Sequence, residues 1–206
     1  PPILREAYLQ SAKNKTLGFL YFIQTRLGFK NMGLAKEFSS SDGLAYIPYY
    51  REGRRMRGVV RLQVNHLLQP YGQKYPLYRT GIAVGDYPVD HHHAPEKKAP
   101  EILFPPIPSF SVPLGALIPE QGEGLLVCDK GISVSNIVNG ATRLQPCVLL
   151  TGQAAGVLAA LSVRHHLSPR AIDVRSVQSA LLKAKAYLQP FIDVRPDEPD
   201  WAAIQR

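Results

Sequence analysis

Three consecutive histidines, His91–His93, follow Asp90 and form a compact group of side chains that could transfer protons or bind metals. On an extended segment, Asp90 and His92 share one face, while the other two histidines share the opposite face. Three adjacent histidines cannot all reach one metal ion, and no HExxH spacing accompanies them, so we predict no metal site. Two uses remain for His92: an acid/base or substrate contact, or a structural polar contact.

The segment PYYREGRRMRG (Pro48–Gly58) begins a second group, in which five arginines fall within eleven residues: Arg51, Arg54, Arg55, Arg57 and Arg61. A guanidinium binds phosphate or carboxylate through two parallel hydrogen bonds, so the cluster favours an anionic ligand. A solvated basic loop is the alternative. Nucleic acid is disfavoured because no helix-turn-helix or aromatic platform motif is present and Glu52 interrupts the run.

The stretch ATRLQPCVLLTGQAAGVLAALSV (Ala141–Val163) predicts a helix that is uncharged from Cys147 to Val163. This length is at the short limit for a bilayer span, and no aromatic belt flanks it, so we predict a buried helix of a protein core. Pro146 suits a first helical turn. The leading amides, from Gln145 to Val148, could then face an electron-rich ligand oxygen, and Arg143 just ahead adds positive charge.

Composition sets broad limits on the class of protein. The chain has 206 residues, of which 45% are hydrophobic and 19% charged, as expected for a globular protein. Its formal charge of +8 indicates an anionic partner. Cys128 and Cys147 do not identify a redox compartment. Residues 1–30 resemble no secretion signal, and the compartment stays open. Because the chain opens on two prolines without Met, we expect a fragment of a longer protein.

Hydrophobic patterning predicts a mixture of helices and short strands. Residues 3–27 suit one long helix, or two helices broken near Asn14 and Gly18, and Val174–Leu188 suits an amphipathic surface helix. The prolines of Pro95–Pro108 indicate a connector. Extended or strand segments are expected at Tyr46–Tyr50, Val59–Val64, Gly81–Asp90 and Gly124–Cys128. The sequence contains no P-loop, no Ser-His-Asp order with a nucleophile elbow, and no GxGxxG fingerprint.

Three segments, taken together, resemble the carboxyl-terminal half of a mostly bacterial family of FAD-dependent oxidoreductases of the two-dinucleotide type. They are IPYYREGRRMRG (Ile47–Gly58), GIAVGDYPVDHHH (Gly81–His93) and the stretch from Val112 to Ser162, which includes ATRLQPCVLLTGQAAG. Their order and rough spacing agree with the family. The resemblance implies a mixed α/β (α+β) protein with a partial two-dinucleotide fold.

The resemblance also implies a domain organisation. Residues 1–105 would form a substrate-covering region, 106–165 the closing strand–helix unit of the FAD domain, and 166–206 a carboxyl-terminal helix and tail. In the family, a glycine-rich βαβ unit in the amino-terminal half holds the ADP moiety of FAD. That unit is missing from this sequence, so we expect the isolated chain to be catalytically silent.

The same resemblance implies roles for individual residues. Arg143, Gln145 and Pro146, with the amides that follow, would contact the flavin ring. Lys130 and Ser133 would be nearby polar contacts. Arg54 and Arg55 would lie on the substrate side and anchor an anionic or polyhydroxy group. His92 would act there as a base. The whole protein would transfer hydride from a small polar substrate to FAD.

One departure from the family motivates an alternative function. Cys128-Asp129-Lys130 stands where many relatives have Ala-Gly-Arg, and an acidic side chain there would repel the cofactor phosphates unless it is paired. The chain could then be a non-catalytic binding module that kept the fold and lost the flavin. Carbohydrate is one ligand for such a module, because the 10 tyrosines permit stacking on sugars.

Overall fold

The computed structural model describes residues 2–91, 103–104 and 106–206 of the chain. These residues divide into two compact units, of which the first ends at Tyr50 and the second runs Arg51–Arg206. The predicted histidine run is described only at His91. His92, the predicted base, lies outside the described residues, as does most of the predicted Pro95–Pro108 connector.

The first unit is built on a single helix, α1 (Pro2–Arg26), which confirms the prediction of one long helix. It ends just before Gly28, whose φ of +79° is readily adopted only by glycine. The predicted Tyr46–Tyr50 strand does not form. Ile47 and the three tyrosines of this segment are all more than half exposed. Neither face of the segment packs against a core, so nothing stabilises a strand there.

The second unit combines helices with one small sheet among the described residues. Strands β1 (Gly81–Gly85) and β2 (Phe110–Pro113) pair antiparallel, with Gly85 opposite Phe110 and Gly81 opposite Pro113. A Cβ on Gly85 would lie 2.3 Å from the Phe110 ring, so the ring packs over a bare backbone. The helices are α2 (Val64–Leu68), α3 (Asn136–Thr142), α4 (Gln145–His165), α5 (Val174–Lys183) and α6 (Trp201–Gln205).

Helix α4 buries only one of its faces. The buried residues recur at helical spacing, and they pack toward β1 and α5: Cys147, Thr151, Ala154, Leu158 and Ser162. The opposite face is open. A Cβ on Gly152 or Gly156 would meet nothing within 4 Å, and Leu149 is 71% exposed. By length and composition α4 could cross a bilayer, but helices of soluble proteins pass the same test, so no membrane span follows.

Two further predicted strands are wrong. Along the first, Val59–Val64, the backbone N–H groups bond to two separate segments: Val59 to Ile118 and Val60 to Gly115 in one, and Leu62 to Ser133 in the other. Only isolated bridges result, at Gly58 and Leu62.

Gly124–Cys128 is irregular rather than a buried strand. Gly124 has a φ of +70°, Leu125 is 57% exposed, and Cys128 is exposed. The helix predicted over Val174–Leu188 ends instead at Lys183, before Lys185 turns to a φ of +60°. The combination of helices with a small sheet is compatible with the expected mixed α/β class.

Candidate functional site

Two helices meet end to end at the centre of the candidate site. Helix α3 begins at Ser135, whose hydroxyl accepts a hydrogen bond from Val138 N–H, and it closes with Arg143 N–H bonded to Asn139 O at 3.1 Å. Leu144 then serves as the N-cap of α4 and offers no side-chain oxygen. The leading end of α4, with Pro146 in its first turn as predicted, is therefore without a side-chain cap.

Arg143 is buried at this junction, with 5% of its surface exposed, and its guanidinium joins three parts of the chain. Nη1 donates to Glu52 Oε1 at 2.8 Å, and Nη2 donates to the backbone oxygen of Asp90 at 2.5 Å. The Asp90 carboxylate lies 3.7 Å from Nη2. The side chain is therefore not turned out into water, and two carboxylates offset its charge.

His91 completes this group of side chains. Its Nδ1 lies 3.2 Å from Glu52 Oε1, the same oxygen that Arg143 contacts, and its Nε2 lies 3.2 Å from the Ile137 carbonyl. Both ring nitrogens thus face oxygens that only accept hydrogen bonds. The imidazole is 4% exposed and packs 5.9 Å from the Phe104 ring. We call Glu52, Asp90, His91 and Arg143 the buried charge cluster.

Gly140 on α3 makes room for the cluster. A Cβ there would lie 2.8 Å from Asp90 O and 2.9 Å from His91 Nε2. Any larger residue would push the Asp90–His91 backbone away from the helix. The close approach explains why a glycine is tolerated inside so short a helix, where it costs about 1 kcal/mol relative to alanine.

An apolar cavity of about 370 Å³ borders the leading end of α4. It lies between the end of β1, the α3–α4 junction and the segment that follows α5. Gln145 and Pro146 are exposed on this end of the helix. The lining residues are Val84, Gly85, Asp86, Tyr87, Ala141, Leu144, Pro146, Cys147, Leu150, Tyr187, Gln189, Pro190 and Ile192. Burial raises the pKa of the Cys147 thiol to about 12, so this wall carries no thiolate at neutral pH.

The predicted arginines line a separate depression of about 290 Å³. Arg54 and Arg55 lie on its wall, and Arg61 joins them. Ser133, predicted as a cofactor contact, is 1% exposed, and its hydroxyl accepts a hydrogen bond from Gly58 N–H at 2.9 Å. In this structure its hydroxyl therefore fixes the backbone of the arginine segment.

Lys130 pairs with its neighbour Asp129 at 3.1 Å, and Asp129 adopts a φ of +61°. The acidic side chain that departs from the family pattern is thus paired.

The structure brings Arg143, Gln145 and Pro146 together at the α3–α4 junction. The described part of the chain contains no group of three His, Cys, Asp or Glu side chains that could hold a metal ion.

Sequence reasoning did not single out Glu52 or His91, which the structure joins to Arg143; the prediction for His92 stays untested because that residue lies outside the described residues. Glu52 interrupts a run of arginines, and that lone acidic residue was the available signal. Its partner Arg143 lies 91 residues further along the chain, a separation that no local pattern bridges.

Comparison with known proteins identifies the family. A family model described as FAD dependent oxidoreductase matches residues 4–181, which include the buried charge cluster, the arginine segment and all of α4. Searches of curated proteins and of solved structures gave no significant match. The family match covers most of the chain and agrees with the resemblance found in its motifs. The chain therefore belongs to the FAD dependent oxidoreductase family, whose cofactor is FAD.

Proposed function

We propose that the chain is the carboxyl-terminal portion of an oxidoreductase that oxidises a C–H bond of a small polar substrate. Bound FAD would supply the hydride acceptor for this reaction. The observation that carries the proposal is the uncapped leading end of α4 beside an apolar cavity, in a chain of this family. The finer assignments of residues below are parts of the same proposal.

The residues at the junction fit a flavin ring. The cavity offers a mostly apolar wall, which suits a flat aromatic group, and Pro146 and Leu144 form part of it. In the first turn beside it, Gln145 and Cys147 have backbone N–H groups that can donate hydrogen bonds to electron-rich carbonyl oxygens. Pro146 has no N–H, and Val148 N–H already donates to Leu144 O at 3.0 Å.

The electrostatic potential at the cavity depends on the sum of the charges near the leading end of α4. Arg143 contributes one positive charge, whereas Glu52 and Asp90 contribute negative charge at 2.8 Å and 3.7 Å. Positive potential at the cavity therefore comes mainly from the helix amides, while Arg143 holds the two acidic segments in place. Potential of this sign stabilises an electron-rich ring more than a neutral one, which favours acceptance of hydride.

On the substrate side, we propose that Arg54 and Arg55 anchor an anionic or polyhydroxy group. His92 stays the proposed base that removes a proton from the substrate. We place Lys130 and Ser133 near the flavin as polar groups. We also propose the domain boundaries at residues 105 and 165 and the partial two-dinucleotide fold. We propose further that the isolated chain is catalytically silent without a glycine-rich half.

The test is to fill the cavity and measure FAD retention. Leu144→Trp places a large ring against the leading end of α4, and we expect the FAD content of the purified full-length protein to fall about tenfold or more. Leu167→Trp, at the other end of α4 and 49% exposed, is the matched control and should retain FAD. Unchanged FAD content in Leu144→Trp would refute this placement of the ring. A protein that never binds FAD but binds carbohydrate would support the alternative of a binding module.

A further inference from the structure

Four arginines between Gly53 and Arg61 line one depression, and three of them are free of acidic partners among the described residues. We define the arginine basin as the 290 Å³ depression lined by Arg54, Arg55 and Arg61 together with Arg57, Gly53, Met56 and Val134. Arg57 is already paired with Glu120, at 2.6 Å. No acidic side chain of the described residues pairs with Arg54, Arg55 or Arg61. The basin therefore holds a local excess of three positive charges.

The backbone beneath these arginines is fixed at several points. Met56 N–H donates to Gly131 O at 2.8 Å, and Val59 N–H donates to Ile118 O at 2.9 Å. Gly58 is held by the buried hydroxyl of Ser133, and a Cβ on it would come within 2.7 Å of the Ser133 Cβ. Because the backbone of this segment is fixed, it loses less conformational entropy when a ligand binds to the arginine side chains.

The nearest acidic residues cannot neutralise the basin because they are engaged elsewhere. Glu52, within the same segment, gives its Oε1 to Arg143 and His91. Glu120 pairs with Arg57. The electrostatic repulsion among Arg54, Arg55 and Arg61 is therefore relieved best by a ligand that brings negative charge from outside.

We infer that the arginine basin binds a phosphate monoester, and that the substrate of this oxidoreductase carries such a group. Three guanidinium groups that line one depression offer more donors than one carboxylate can accept, whereas a phosphate dianion has three strong acceptor oxygens and about two negative charges. The size of the basin suits one compact group. Assigning that group to the substrate rests on the proposed function, whereas binding of the anion itself does not.

The experiment measures inorganic phosphate binding to the purified protein by calorimetry at low ionic strength, in the absence of any turnover. We expect saturable one-to-one binding that Arg55→Gln or Arg61→Gln each weakens about tenfold or more. Arg195→Gln, an exposed arginine outside the basin, removes the same charge and is the matched control. Circular dichroism of each variant verifies that it is folded.

Four results would overturn the inference: no saturable binding, equal weakening by all three variants, acetate binding as tightly as phosphate, or a single-stranded oligonucleotide binding while phosphate does not. The last of these would assign the basin to nucleic acid. FAD content is recorded for the same samples. If the unsubstituted protein retains FAD but does not bind phosphate, only this inference is refuted. If it binds phosphate but never FAD, only the proposed flavin function is refuted.

Discussion

At the residue scale, one oxygen of Glu52 organises the buried charge cluster. It accepts a hydrogen bond from Arg143 and lies 3.2 Å from His91 Nδ1, so a single carboxylate joins residues that are far apart in the chain. Its 40% exposed side chain closes the cluster toward solvent, while Arg143 and His91 are almost completely buried. A buried guanidinium without a counter-ion is costly, so the stability of this region depends on Glu52.

Glu52→Gln should therefore lower the free energy of unfolding by about 1–3 kcal/mol, because Arg143 keeps a hydrogen-bond acceptor but loses its closest counter-charge. Urea unfolding at neutral pH measures the change. Glu120→Gln is the control, since it breaks an ion pair with Arg57, whose side chain is 85% exposed, and should cost less than about 1 kcal/mol. Equal losses for the two variants would mean that the buried cluster contributes no more than a surface pair.

At the element scale, α3 and α4 each contain a glycine, but the space around the two glycines differs. Gly140 lets Asp90 and His91 approach the backbone of α3, whereas Gly152 on α4 faces open space. Gly140→Ala should destabilise the protein by about 1–3 kcal/mol, since backbone atoms of Asp90 would have to move. Gly152→Ala should stabilise it by about 0.4–1 kcal/mol through its lower unfolded-state entropy. Thermal unfolding of both variants tests the contrast, and shifts of the same sign would contradict it.

The elements also show what sequence can and cannot predict. Helices α1 and α4 were predictable because a long uncharged run, Pro146 and a terminal glycine are local signals. The predicted extended segment Gly81–Asp90 contains β1, which ends at Gly85. The alternation in Val59–Val64 predicted a strand, but its N–H groups bond to two separate segments, and no local pattern encodes those partners. Likewise the sequence offered Arg143 as a candidate, and that role stays a prediction. Its pairing with Glu52 was not predictable, because the contact depends on the folded chain.

At the scale of the whole molecule, the chain holds two groups of positive charge with different surroundings. Arg143 is buried and neutralised by acidic neighbours, while the arginine basin lacks acidic partners among the described residues. The first arrangement suits a fixed contribution to the potential beside a cofactor, and the second suits capture of an anion from solution. The proposed division of roles rests on where the chain places its carboxylates, beside Arg143 but not beside the arginine basin.

The most direct test of the account is the midpoint potential of FAD bound to the full-length protein. If the balance of charge beside α4 acts on the flavin, Glu52→Gln should raise the potential and Arg143→Gln should lower it, each by about 20–40 mV, which corresponds to about 1–2 kcal/mol for two electrons. Arg164→Gln, at the far end of α4, should leave it unchanged. Shifts of the same direction in both cluster variants, or no shift in either, would contradict the claim that this junction lies beside the flavin.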